Sequence, residues 1–171
     1  MDVSSKSPRH LIHGETGGYP LYVHTYARCI KFWLCLTFMD DKRYPRKAYS
    51  MLLNLQRQNC NTWACSIRNV LYKFGFGVVW ERQGAGDVEL FIKEFKQRLI
   101  DCFTQNWHST LGFHYFYNVY SNFNHLLVCS PYLSLLNNIS VRRVFARFRP
   151  GMSALKFIIC KIIDLLFMTG I

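Results

Sequence analysis

The sequence predicts an all-α fold, a compact array of roughly five to seven helices with no substantial sheet. Three observations lead there. Apolar residues recur at helical intervals, most clearly in Val88, Phe91, Ile92, Phe95, Leu99, Cys102 and Phe103 at i, i+3, i+4 and i+7. No alternating apolar–polar run of useful strand length occurs, and no internal repeat is found. Half the residues are hydrophobic and 16% are aromatic, which excludes intrinsic disorder and supplies a core for a 171-residue chain.

Residues 1–18 are polar, end in Gly14-Glu-Thr-Gly-Gly18 and read as a flexible N-terminal segment. Residues 19–152 read as one basic helical domain, and residues 153–171 as an apolar C-terminal tail or helix. The first helix lies in Tyr19 to Phe38, with Tyr22, Tyr26, Ile30, Trp33 and Leu34 on one face and Pro20 suited to the first turn. Asp40-Asp41 is expected to start the second, which runs through Arg46 to Gln58 with Ala48, Leu52 and Leu55 on one side. Thr62 is placed to cap a third helix whose buried face is Trp63, Ile67, Val70, Leu71 and Phe74, ended by Gly75 and Gly77. After the loop Gln83-Gly-Ala-Gly86, Asp87 caps the strongest helix, in which Glu89 and Glu94 precede Lys93, Lys96 and Arg98 as the macrodipole favours. Residues 109–118 are irregular, Tyr120 to Cys129 suggests a helix, and Ser130-Pro131 starts the next. Pro150-Gly151 stops the last, arginine-rich helix.

The charge is strongly basic: 21 Lys and Arg against 10 Asp and Glu, a net +11. Between Asp101 and Asp164 no acidic residue occurs, yet four arginines, Arg142, Arg143, Arg147 and Arg149, fall within eight positions. They alternate with Val141, Val144, Phe145 and Phe148, whose helical spacing makes an apolar stripe flanked by guanidinium groups. A solvated helix face is the ordinary meaning of such a run. The missing acids favour a polyanion instead, because guanidinium stays charged and grips phosphate oxygens two at a time. A second basic cluster, Lys42, Arg43, Arg46 and Lys47, opens the second helix. Together with Lys156 these nine residues are the candidate nucleic-acid contacts, and Tyr and Trp side chains are candidates for stacking on unpaired bases. Trp33, Trp63, Phe91 and Phe95 sit at core spacing and read as packing.

No catalytic apparatus is expected. Phe38-Met-Asp-Asp41 has the aromatic-x-Asp-Asp form of a polymerase metal site, but a helical segment precedes it and Lys42-Arg-Tyr-Pro-Arg-Lys47 follows, so helix capping is the reading adopted. The six histidines are scattered, no Cys-x-x-Cys occurs among seven cysteines, and the chain lacks a P-loop and a nucleophile elbow. The expectation is therefore no metal, no cofactor, no small-molecule substrate and no enzymatic activity. An odd number of cysteines and an N-terminus without an apolar core point to an intracellular protein, nuclear or cytoplasmic, with no signal peptide. Leu155 to Ile171 is short for a spanning helix and is interrupted by Lys161 and Asp164, which leaves membrane contact through residues 155–171 as an alternative.

Several stretches resemble the region downstream of the reverse transcriptase domain in LINE-type (non-LTR) retrotransposon polyproteins. They are Gly18-Tyr-Pro-Leu-Tyr-Val-His-Thr-Tyr-Ala-Arg-Cys-Ile-Lys-Phe-Trp33, Arg46-Lys-Ala-Tyr-Ser-Met-Leu-Leu-Asn54, Trp63 to Tyr72 with its Tyr-Lys-Phe-Gly-Phe-Gly77 ending, Phe91-Ile-Lys-Glu-Phe-Lys-Gln-Arg-Leu99 running to Trp107, and Val141 to Lys156. The resemblance covers about residues 14–157 and implies a fragment whose polymerising parts lie upstream, so no catalytic residue is carried over. That family commonly continues into a Cys/His cluster, whereas Phe157 to Ile171 departs into an apolar tail, as a frameshift, a misjoined exon or a premature end would produce. The function expected is that of a non-catalytic retroelement remnant with weak, sequence-nonspecific RNA or DNA binding. The alternatives are a small membrane-associated protein anchored by its C-terminal helix, or a pseudogene product with no selected function.

Overall fold

The structure, a computed structural model, describes residues 9–58, 60–113, 120 and 124–148, with the backbone alone at 113, 145, 147 and 148. The class is all-α. The described residues contain eight helices: α1 Arg9–Thr16, α2 Leu21–Thr37, α3 Tyr44–Arg57, α4 Trp63–Lys73, α5 Gly77–Glu81, α6 Val88–Phe113, α7 Tyr132–Leu135 and α8 Ile139–Phe148. Among them the only extended pairing is an isolated antiparallel bridge between Thr16 and Cys129. The count exceeds the sequence expectation because α1 lies in a segment read as flexible and α5, five residues long, is too short to print a helical period. Residues 9–16, read in the sequence as flexible, form a helix that buries Leu11. Residues 124–129, read as the end of a helix, are not helical.

The chain groups into two compact units, Pro20–Cys102 and a second made of residues 1–19 with 103–171, where the sequence reading drew a single domain over 19–152. In the Pro20–Cys102 unit, α2 sends Val23, Ile30, Trp33, Leu34 and Leu36 inward, α4 sends Ala64, Ile67 and Leu71, and α6 sends Phe91, Phe95 and Leu99. Helical spacing singled out Ile30, Trp33, Leu34, Ile67, Leu71, Phe91, Phe95 and Leu99 among these but not Val23, Leu36 or Ala64. Tyr22, Tyr26, Trp63 and Val70, which it also named, are only partly buried against this core. Trp33 stacks on Trp80 of α5 with ring centres 5.4 Å apart, and Phe76 meets Phe91 and Phe95 edge-on at 5.3 and 5.5 Å.

Local chemistry sets the helix ends. At the end of α4, Gly75 takes φ +87, the Phe76 N–H donates to Leu71 O at 2.8 Å and the Gly75 N–H donates to Tyr72 O at 3.1 Å. This is a Schellman closure, and it turns the chain sharply enough to start α5 two residues later. Asp87 caps α6 as expected, its carboxylate accepting the Leu90 N–H at 3.0 Å. Thr62 occupies the N-cap position of α4, but its hydroxyl lies 3.6 Å from Cys65 Sγ instead of bonding a free amide.

In the second unit Leu11, Phe103, Trp107, Leu111 and Tyr120 form the core. Contacts distant in sequence hold α1 in place. Trp107 Nε1 donates to His10 O at 2.8 Å, Asn124 Nδ2 donates to Gly14 O at 3.0 Å, and the Ser130 N–H donates to Glu15 O at 2.8 Å. Gly17, at φ +63, leaves no room for a Cβ beside the Cys129 amide. Among the described residues no helix is long and apolar enough to cross a membrane, and Leu155 to Ile171 lies outside them.

Candidate nucleic-acid interface

The turn between α2 and α3 builds the first basic cluster. Asp40 closes it: its carboxylate accepts the Lys42 N–H at 2.8 Å and its carbonyl accepts the Arg43 N–H at 3.0 Å. The capping role expected of Asp40 and Asp41 is thereby corrected. The N-cap residue of α3 is Arg43, in extended backbone and without a side-chain cap, because the Asp40 turn uses up two residues before the helix begins. Asp41 instead takes Arg46 Nε at 3.0 Å, and Arg46 also donates to Leu36 O at 3.3 Å.

That arrangement divides the four cations. Arg46 is half-buried and paired, whereas Lys42, Arg43 and Lys47 are exposed. Among the described residues none of those three makes an ion pair. Lys47 Nζ lies 5.9 Å from the centre of the Tyr44 ring. No acidic residue stands in the first turn of α3, so the positive end of the helix dipole is faced by further positive charge.

One fully buried side chain anchors α3, with Leu52 and Leu53 packed beside it on the core. Tyr49 is 1% exposed and its hydroxyl accepts from Trp33 Nε1 at 2.8 Å while donating to Gln83 Oε1 at 2.6 Å. Gln83 sits at φ +51 and returns its Nε2 to Trp80 O at 2.7 Å, closing a polar chain inside the aromatic core. Burial, opposed by these hydrogen bonds and by Arg46, raises the Tyr49 phenol above its ordinary value.

The arginine-rich segment is α8. Asn138 caps it, its side-chain oxygen accepting the Ser140 N–H at 2.8 Å and its carbonyl the Arg142 N–H at 3.0 Å. Val141 and Val144 are half-buried, and so is Arg142, whose Nε donates to Leu136 O. Arg143 is exposed. The Arg147 side chain, Arg149 and Lys156 lie outside the described residues. The two basic segments belong to different units: α3 to Pro20–Cys102 and α8 to the other.

Of the aromatics weighed as stacking candidates, Trp33, Phe91 and Phe95 are buried and Trp63 is half-buried against Phe32. The sequence reading did not single out Tyr44, which is 86% exposed. Its neighbours Arg43 and Lys47 were the available signal, since an aromatic inside a basic cluster has no core spacing to explain it. Among the described residues no three His, Cys, Asp or Glu side chains gather as metal ligands. Within those residues His13 Nδ1 lies 2.7 Å from Gly18 O and the His10 carbonyl is taken by Trp107.

No family model, curated protein or solved structure matches this chain.

Proposed function

We propose that this chain is a non-catalytic, sequence-nonspecific nucleic-acid binder of retroelement ancestry, which holds phosphate on the cations at the start of α3. One observation carries the reading: Lys42, Arg43 and Lys47 are exposed together, without carboxylate partners among the described residues, at the positive end of a helix. A charge of the wrong sign there costs about 0.3–1 kcal/mol through the dipole alone. A bound phosphate reverses that term, because the helix end and the three cations then all face an anion. Contacts of this kind position a backbone without reading bases, which makes the binding sequence-nonspecific. The engagement of Asp40 in a turn and of Asp41 with Arg46 supports the non-catalytic part of the reading. The ordered series of similar segments from Gly18 to Lys156 supports the ancestry.

The test is the salt dependence of RNA binding by the full chain. Three phosphate contacts on a single strand give a log–log slope near −2, at roughly −0.7 per contact. Replacing Lys42, Arg43 and Lys47 by Gln should remove most of that slope. Binding indifferent to salt, or a triple variant that binds as the wild type does, would sink the proposal. Capture by anionic vesicles without RNA binding would replace it with a membrane-surface role.

A further inference from the structure

We infer that Tyr44 is a base-stacking platform, so that this cluster favours single-stranded nucleic acid over duplex. The inference rests on the reading of Lys42, Arg43 and Lys47 as phosphate contacts and names the partner class of that same site.

Tyr44 differs from every other large exposed aromatic among the described residues. Tyr19, 37% exposed, meets Phe103 edge-on at 6.2 Å. Phe32, 56% exposed, is packed edge-on against Trp63. Tyr72, 46% exposed, gives its hydroxyl to Glu81 at 2.8 Å and has the Arg68 guanidinium over its ring. Phe38, 63% exposed, lies across Gly84, where a Cβ would touch its ring at 3.4 Å. Tyr44, by contrast, is 86% exposed, and among the described residues its ring meets no other ring and its hydroxyl makes no hydrogen bond. Lys47 Nζ lies 5.9 Å from the ring centre, and the exposure of the residue leaves ring surface accessible.

The surroundings supply what a stacked nucleotide needs. Arg43 immediately precedes Tyr44, and Lys47, three residues on, shares its side of the helix. A base lying on the ring therefore has cations beside it for its own and its neighbouring phosphates. Stacking on an aromatic face requires a base released from its own stack, which a single strand offers and an intact duplex does not. The platform tolerates any base, since each has a π-face, and so agrees with binding that ignores sequence.

The experiment compares the full chain and its Tyr44→Ala, Tyr44→Trp and Lys42→Gln/Arg43→Gln/Lys47→Gln variants on a labelled oligouridylate and on an RNA duplex of equal length at one salt concentration. Tyr44→Ala should weaken oligouridylate binding by roughly 5- to 100-fold, with duplex affinity and the salt slope unchanged. Tyr44→Trp should retain or improve single-strand binding. The triple Gln variant should weaken both ligands and flatten the slope. Because Tyr44 is exposed, an unaltered thermal melt of Tyr44→Ala is expected, and it assigns the loss to the ring. Equal losses on single strand and duplex, or no loss on oligouridylate while the triple variant fails, would overturn the stacking inference and leave the phosphate site standing. Loss of binding in neither variant would remove both.

Discussion

The basic segments that open α3 and form α8 look alike as strings of Arg and Lys, yet their cations meet different surroundings. At α3, Lys42, Arg43 and Lys47 project into solvent and only Arg46 is committed, to Asp41 and the Leu36 carbonyl. At α8, Arg142 is half-buried and committed to the Leu136 carbonyl, which leaves Arg143 as the exposed arginine whose side chain is described. A guanidinium that satisfies a carbonyl contributes to local order and has fewer donors left for phosphate. At α8 the Leu136 carbonyl takes the Arg142 guanidinium. At α3 the Asp40 turn closes on its own backbone, and of the four cations only Arg46 turns back.

The largest effect that separates the two segments concerns what holds α3. Tyr49 is the only fully buried side chain of that helix, with Leu52 and Leu53 packed more loosely on the same core, so the α3 cluster depends chiefly on one anchor. Tyr49→Ala removes a large aromatic and should cost about 3–5 kcal/mol, read as a fall in the midpoint of a denaturant melt. Tyr49→Phe keeps the ring but strands Trp33 Nε1 and Gln83 Oε1, for about 1–3 kcal/mol. RNA binding should fall with the folded fraction in Tyr49→Ala. An α3 cluster that still binds when the unit has melted would show that its geometry is irrelevant and that bare charge suffices.

A direct contrast comes next. Arg142→Gln should leave the salt slope of RNA binding unchanged and lower stability by about 0.5–1.5 kcal/mol, the net worth of one hydrogen bond. The Gln variants of Lys42, Arg43 and Lys47 should do the reverse, taking roughly two units from the slope with little change in the melt. Equal slope losses from both segments would erase the distinction drawn between them.

The divergence was only partly legible in the sequence, for physical reasons. The cores of α2, α4 and α6 were legible because a buried helix face repeats its apolar residues with the helical period, and Ile30, Leu71 and Phe95 all obey it. The ends at Gly75 and Asp87 were legible because each is a local pattern. α1 was not, since its place depends on Trp107 reaching back to His10 across 97 residues, and no window sees that. The composition of the basic clusters was readable, whereas the fate of each charge was not: Arg46 and Lys47 are adjacent, yet one meets Asp41 and the other Tyr44. Those partners follow from a turn closed by a single Asp40 carboxylate, a detail below the resolution of charge counting.

A smaller effect sharpens the comparison by freeing a committed cation. Asp41 is 88% exposed at its side chain, so its pair with Arg46 is worth little in stability, about 0.2–1 kcal/mol. Asp41→Asn removes a negative charge and releases Arg46 Nε toward solvent. RNA affinity at low salt should rise a few-fold, and the slope should steepen by up to about 0.7 if Arg46 becomes one more phosphate contact. An unchanged slope with raised affinity would mean that the Leu36 carbonyl still holds the guanidinium and that only long-range attraction has improved.

The smallest effect asks whether a helix start in this molecule favours an anion at all, which the reading of α3 assumes. α4 provides an internal reporter, because Cys65 lies in its first turn where α3 carries cations. Main-chain hydrogen bonding at Thr62, then the Thr62 hydroxyl 3.6 Å from Sγ, hold the Cys65 thiol below its ordinary value, with a lesser contribution from Arg68. A lowered value in an acid means that the thiolate is already present at a pH where an ordinary cysteine is still protonated. Since the thiolate is the nucleophile, alkylation of Cys65 by iodoacetamide should reach half its limiting rate at a lower pH than that of a free cysteine peptide. Peptide mapping of the alkylated chain isolates this site from the others. Thr62→Val deletes the hydroxyl and keeps the main-chain contribution, so the midpoint should move upward part of the way toward the free peptide. A wild-type midpoint equal to the free peptide would show that the start of α4 gives an anion no advantage. The helix-end contribution claimed for phosphate at α3 would then have to come from Lys42, Arg43 and Lys47 alone.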